Sequence, residues 1–172
     1  MTIFNESDIK NLFDDNLKKA KNLLKKLEVF CGDEPKFNGL DGWVLEKTIQ
    51  HCIREELKKK RITHNIVEQF GLGGKSKVDL KVGNVAIEIK KSGFYDSRNK
   101  VSKQCRDRRR AANKNGASRY VVMSLKGTHS PLWKTIRRVI GRKNTFCLFF
   151  KNKQQKDEWK RFIDLLCSQK AN

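Results

Sequence analysis

Asp79 and the triplet Glu88-Ile89-Lys90 stand on two short apolar segments joined by Gly83-Asn84. Both segments, Lys77 to Val82 and Val85 to Lys91, alternate apolar and polar residues with period two, the pattern of a half-buried strand. A Gly-Asn pair suits a two-residue hairpin, whose turn needs positive φ. Pairing Val82 with Val85 and counting outward sets Asp79 opposite Glu88 and Lys77 opposite Lys90. Val78, Leu80, Val82, Val85, Ile87 and Ile89 then face the core, while Asp79, Glu88 and Lys90 share the other face. Facing carboxylates repel across strands. Two arrangements offset that repulsion. A hard divalent cation can be held by both carboxylates, or diagonal pairs Asp79–Lys90 and Lys81–Glu88 can leave a merely solvated charged face.

The elements that must position these residues are readable on either side. Ser7 to Phe30 carries Ile9, Leu12, Phe13, Leu17, Ala20, Leu23, Leu24 and Leu27 at helical spacing, with Ser7 as the expected N-cap. After a Gly/Pro-containing loop, a second helix is expected from Asp41 to about Lys60, with Leu45, Ile49, Cys52, Ile53 and Leu57 as its buried stripe. Glu46 and Gln50 lie one turn apart beside that stripe, and Glu55 and Glu56 read as surface charges. Thr63 to Phe70 reads as a first strand. The glycines that follow, Gly71 to Ser76, lack the spacing of a phosphate-binding loop and run into strand, not helix. Ser97 to Asn115 reads as a helix, Arg119 to Leu125 as a buried strand, and Ser130-Pro131 as the start of a helix ending at Gly141. Thr145 to Phe150 reads as a strand and Asp157 to Ser168 as a last amphipathic helix. The expectation is one α/β domain over residues 1–172, with an N-terminal helix and loop (1–40), a core (41–125) and a C-terminal helix-strand-helix extension (126–172).

Asp79 followed by Glu88-x-Lys90 on the next strand resembles the active-site signature of the PD-(D/E)XK nuclease superfamily, which includes most type II restriction endonucleases and the archaeal Holliday-junction resolvases. The resemblance spans roughly Trp43 to Leu125, in the order α-β-β-β-α-β with a mixed sheet. The proline that gives the family its name is replaced by Val78. The resemblance implies Mg²⁺, with Mn²⁺ as a substitute, held by Asp79, Glu88 and the backbone carbonyl of Ile89 and completed by Glu46 from the preceding helix. It implies that Lys90 positions or helps deprotonate the attacking water, and that Gln104 on the following helix belongs to the site. Lys91 points the other way by strand alternation.

The chain has 172 residues and a formal net charge of +20, an argument for a polyanionic partner. Between Lys100 and Lys143 the only acid is Asp107, whereas a solvated helix face interleaves both signs. Lys103, Arg106, Arg109, Arg110, Arg137 and Arg138 are the expected phosphate contacts. On a helix, Arg106, Arg109 and Arg110 share a face and Arg108 points elsewhere. Phe94-Tyr95 could stack on bases.

No apolar run approaches the ~20 residues of a membrane span. Cys31, Cys52, Cys105, Cys147 and Cys167 show no zinc spacing and suit reduced thiols in a cytoplasmic protein. His51, His64 and His129 show no ligand spacing either. The leading expectation is therefore a Mg²⁺-dependent DNA endonuclease of restriction type, acting as a homodimer on duplex DNA. A Holliday-junction resolvase acting on branched DNA is the alternative within the same class. A non-catalytic basic nucleic-acid-binding protein is the alternative outside it, though charge alone leaves the opposed carboxylates unexplained.

Overall fold

A computed structural model describes residues 2–31, 39–90, 97–124, 131–148 and 157–169. These form helices α1 (Glu6–Cys31), α2 (Leu40–Lys59), α3 (Arg98–Lys114), α4 (Pro131–Ile140) and α5 (Glu158–Cys167) around strands β1 (Ile66–Gly71), β2 (Lys77–Val82), β3 (Val85–Lys90), β4 (Arg119–Ser124) and β5 (Thr145–Cys147). The strands lie in the order β1-β2-β3-β4-β5. The first two junctions are antiparallel and the last two parallel, so the sheet is mixed. The α/β class expected from the sequence is what is seen.

Helices cover both faces of the sheet, which makes two cores. On one face, Ile9 and Phe13 of α1, Leu45, Ile49 and Ile53 of α2, and Trp159, Phe162 and Leu166 of α5 pack on Leu80, Val82, Val85, Ile87 and Ile89. On the other, Val101, Cys105 and Ala112 of α3 and Trp133, Ile136 and Ile140 of α4 pack on Ala86, Tyr120 and Val122. Because α3 roofs its second face, β3 is buried on both sides rather than half-buried as its alternation suggested.

The hairpin turns at Gly83-Asn84 with Val82 paired to Val85, as the spacing required. Gly83 takes φ +56°, and a Cβ there would stand 2.6 Å from Gln169 Oε1, an amide oxygen that accepts from the Asn84 N–H at 2.8 Å. Beyond Leu80–Ile87 the ladder is not continued, so Asp79 and Glu88 are not a cross-strand pair. The β1–β2 ladder is also interrupted, at Gln69 and Asp79, where Gln69 adopts φ +48°. On one side of the interruption the paired Phe70 and Val78 belong to the α3 side, and on the other Ile66, Leu80 and Val82 belong to the α2 side. Val78 therefore does not share the face of Leu80 and Val82: the two strands turn over together at this point.

Two further expectations are corrected. Ser7 lies inside the first turn of α1, and Asn5 caps the helix, its Oδ1 accepting from the N–H groups of Ser7 and Asp8 while Asp8 Oδ2 accepts from Asn5 N–H. Glu56 is no surface charge. It is fully buried, and its Oε1 accepts from the Ile3 and Phe4 amides at 2.8 and 3.0 Å and from Trp159 Nε1 at 3.1 Å. That carboxylate ties the N-terminal segment and α5 to α2. Among the described residues no helix is long and apolar enough to cross a membrane.

Candidate active site

Asp79 sits where β2 parts from β3, and its position follows from that break. With the ladder ended, the Ile89 N–H donates to Asp79 Oδ2 at 2.5 Å. The side chain thus stands in for a strand carbonyl and is anchored to β3. From the other side α2 brings Glu46, whose carboxyl shares a hydrogen bond with that of Asp79. Gln69, in its left-handed conformation, donates from Nε2 to Glu46 Oε2 at 3.3 Å.

The electrostatics of this pair follow from its enclosure. Burial, then the charge of Asp79, push the Glu46 carboxyl up to about 7. Burial, then the charge of Glu88, push Asp79 up to about 6, against the lowering effect of the Ile89 amide. Two carboxyls this close cannot both ionise freely, and they hold a proton between them near neutral pH.

Glu88 is 1 % exposed, on the α3 side of β3. Its Oε1 is paired with both Lys90 Nζ and Arg108 Nη1, and its Oε2 is buried with no hydrogen-bond partner. A carboxylate so enclosed needs its counter-charges. Arg108 belongs to α3, within the helical row Val101, Cys105, Arg108, Ala112 that faces the sheet. Burial opposes its charge, but Glu88 and the Tyr120 hydroxyl hold its guanidinium above its ordinary range. Glu88 reaches further still: burial and then its charge raise the Cys105 thiol to about 11, and the Tyr120 hydroxyl well above its usual range.

Arg108 was expected to point away, yet it lies on the inward side of α3 and pairs with Glu88. The signal was available, because Val101, Cys105 and Ala112 define an inward stripe in which position 108 falls. Gln104, by contrast, touches none of the carboxyls in the contacts observed. It lines a pocket of about 450 Å³ with Ser76, Lys100, Lys103, Asp107 and Arg108. Arg108 is the one residue common to the pocket and the Glu88 pair.

Of the expected phosphate contacts, Lys103, Arg106, Arg109, Arg110 and Arg138 are exposed. Arg137 is half-buried, its guanidinium carbon 5.7 Å from the centre of the Trp133 ring and its Nε and Nη2 buried without a partner. Gln50, one turn from Glu46, turns to Glu68 on β1, which also pairs with Lys47. Lys91, Phe94 and Tyr95 lie outside the described residues. Cys52, Cys105, Cys147 and Cys167 are free thiols.

Among the described residues no three His, Cys, Asp or Glu side chains stand together as a ready metal cage. The donor chemistry nevertheless fits a hard cation. Glu46, Asp79 and Glu88 act on one another electrostatically, and each supplies oxygen. One buried oxygen, Glu88 Oε2, has no partner, and a proton now relieves a repulsion that a cation would relieve equally. No protein-family model matches the chain, and neither a curated protein nor a solved structure does.

Proposed function

We propose that the chain is a metal-dependent DNA endonuclease of the PD-(D/E)XK type, cutting duplex DNA as a homodimer. One observation carries this reading above the others: Asp79 and Glu88, with Lys90, converge electrostatically with Glu46 from α2 beside a helix whose outer face is basic. The element order α2-β1-β2-β3-α3-β4 supports the restriction-endonuclease-like fold. A solvated charged face, the competing account of these residues, does not suit a Glu88 that is buried and a Glu46–Asp79 pair that shares a proton.

Asp79, Glu88, Glu46 and the Ile89 carbonyl would hold Mg²⁺, which when bound supplies Lewis-acid polarisation of a phosphoryl oxygen and a more acidic water. The chain's own groups do the rest. Lys90, on the Glu88 carboxylate, is placed to orient the attacking water and to stabilise charge building on phosphorus. Lys103, Arg106, Arg109 and Arg110 neutralise the backbone and hold it over the site without reading sequence.

The test is incubation of linear duplex and of a four-way junction with the full chain, with Mg²⁺ or EDTA. Asp79→Asn and Glu88→Gln should abolish cleavage while binding DNA in EDTA like the parent, and Lys90→Ala should turn over on the order of 10² more slowly. Glutamine is the better probe at 88: like any neutral residue it removes the counter-charge of Arg108, but it keeps the side chain's volume and an amide oxygen to which the guanidinium can donate. Metal-independent cleavage, or full activity in Asp79→Asn, would sink the assignment. Cutting confined to the junction would move the proposal to a resolvase of the same superfamily.

A further inference from the structure

Among the described residues Glu88 is held by two cations, only one of which belongs to the Glu88-x-Lys90 triplet. Lys90 is its neighbour on β3; Arg108 comes from α3, and its other surroundings are a pocket lined by Ser76, Lys100, Lys103, Gln104 and one acid, Asp107, so that with Arg108 itself three cations face one carboxylate there. The guanidinium therefore stands between a buried carboxylate and a basic cavity wide enough for a phosphate group. Arginine binds both kinds of oxyanion through the same planar fork of donors, so exchange between them needs no new chemistry.

The charges at the centre show what that exchange would do. Among the described residues three carboxyls, Glu46, Asp79 and Glu88, face two cations, Lys90 and Arg108. With Arg108 on Glu88 Oε1, this carboxylate is a weak donor to a divalent ion. With Arg108 moved to a phosphate, these three carboxyls keep Lys90 as their one cation among the described residues, and Glu88 Oε1 retains a single partner while Oε2 has none.

We propose that Arg108 is a positioning residue that couples metal loading to nucleic-acid binding: it clamps Glu88 in the free protein and passes to a backbone phosphate seated in the Ser76–Lys100–Lys103–Gln104 pocket, releasing Glu88 for the metal. The inference rests on the nuclease reading and adds to it an order of events. The ion loads tightly only once DNA is in place. By linkage, the factor by which DNA tightens the metal equals the factor by which the metal tightens DNA.

The experiment uses the full chain and Ca²⁺ as the probe ion. Calorimetry measures the Ca²⁺ affinity of the free protein. Fluorescence anisotropy measures its affinity for a short duplex in Ca²⁺ and in EDTA. Arg108→Gln should bind Ca²⁺ about tenfold more tightly than the parent when free, within the ordinary range of coupling, and its DNA affinity should gain several-fold less from Ca²⁺ than the parent's. Arg108→Lys, which keeps a charge without the fork, should fall between them and serves where the glutamine variant folds poorly. A tighter ion is a gain that damage to packing would not produce. Equal Ca²⁺ affinity and equal DNA gain in parent and both variants, with Asp79→Asn abolishing the gain, overturns the clamp and leaves the metal site standing. A parent whose DNA affinity responds to Ca²⁺ no differently from Asp79→Asn overturns the clamp and the nuclease reading together.

Discussion

Replacing Glu46 by Gln removes one member of the proton-sharing pair while keeping its size and its ability to donate to Asp79. The folded chain holds Glu46 at about 7 against an ordinary 4.5, and Asp79 at about 6 against 3.8. Between those values the folded state keeps a proton that the unfolded state has released, so stability must fall as pH rises from about 4.5 and level off above about 7. A fully buried carboxyl moved that far would lose roughly 3 kcal/mol on ionising. Glu46 is only half-buried, and solvent screening brings its share to roughly 1–2 kcal/mol. For a chain of this size that is roughly 3–6 °C in Tm. Thermal melts in EDTA from pH 4.5 to 8.5 read the effect. Parent and Glu46→Gln should melt together near pH 4.5, and the variant should melt several degrees higher above pH 7. A difference that does not vary with pH, or a parent that gains stability across this window, refutes the shared proton and with it the close approach of the two carboxyls.

Neutralising Arg106, Arg109 and Arg110 together should weaken binding to all duplex sequences alike and flatten the plot of log affinity against log salt by about one unit per lost contact; an unchanged slope would put the nucleic acid elsewhere, with Arg138, Arg142 and Lys143 the next surface to alter. The proposed homodimer has an apolar strip to use, because Leu23 and Leu27, one turn apart on α1, are 59 % and 42 % exposed. Leu23→Glu with Leu27→Glu should convert a dimer to monomer by light scattering, and a parent that is itself monomeric with and without DNA removes the dimer from the proposal.

The turn was legible because Gly83-Asn84 admits one pairing, Val82 with Val85, and the alternation fixed the rest of the local register up to Leu80–Ile87. It stopped being legible at Asp79. The turnover of β1 and β2 depends on Gln69 at φ +48°, a residue with no intrinsic preference for that region, and on α3 offering Val78 and Phe70 a second core. Period-two alternation carries no information about a strand that changes faces partway, and so the opposed pair Asp79–Glu88 resolved into two contacts, one toward α2 and one toward α3.

Charge was the other blind spot, in two different ways. Glu56 lies in a run of charged residues, and what buries it is the Ile3 and Phe4 amides and the Trp159 indole, from segments about 50 and 100 positions away in the chain; nothing local marks it. Arg108 is different. It lies in an arginine run that invites a reading as uniform surface, yet the same helical periodicity that places Val101, Cys105 and Ala112 inward places it inward too. A cation at an inward position of a buried helix face requires a buried anion within reach, and β3 offers one in Glu88. Helical phase should therefore take precedence over local composition when a basic run is sorted into contacts. Applied to α3, this separates exposed Arg106, Arg109 and Arg110, suited to bind phosphate, from Arg108, which already holds a carboxylate and can take phosphate only by letting that carboxylate go.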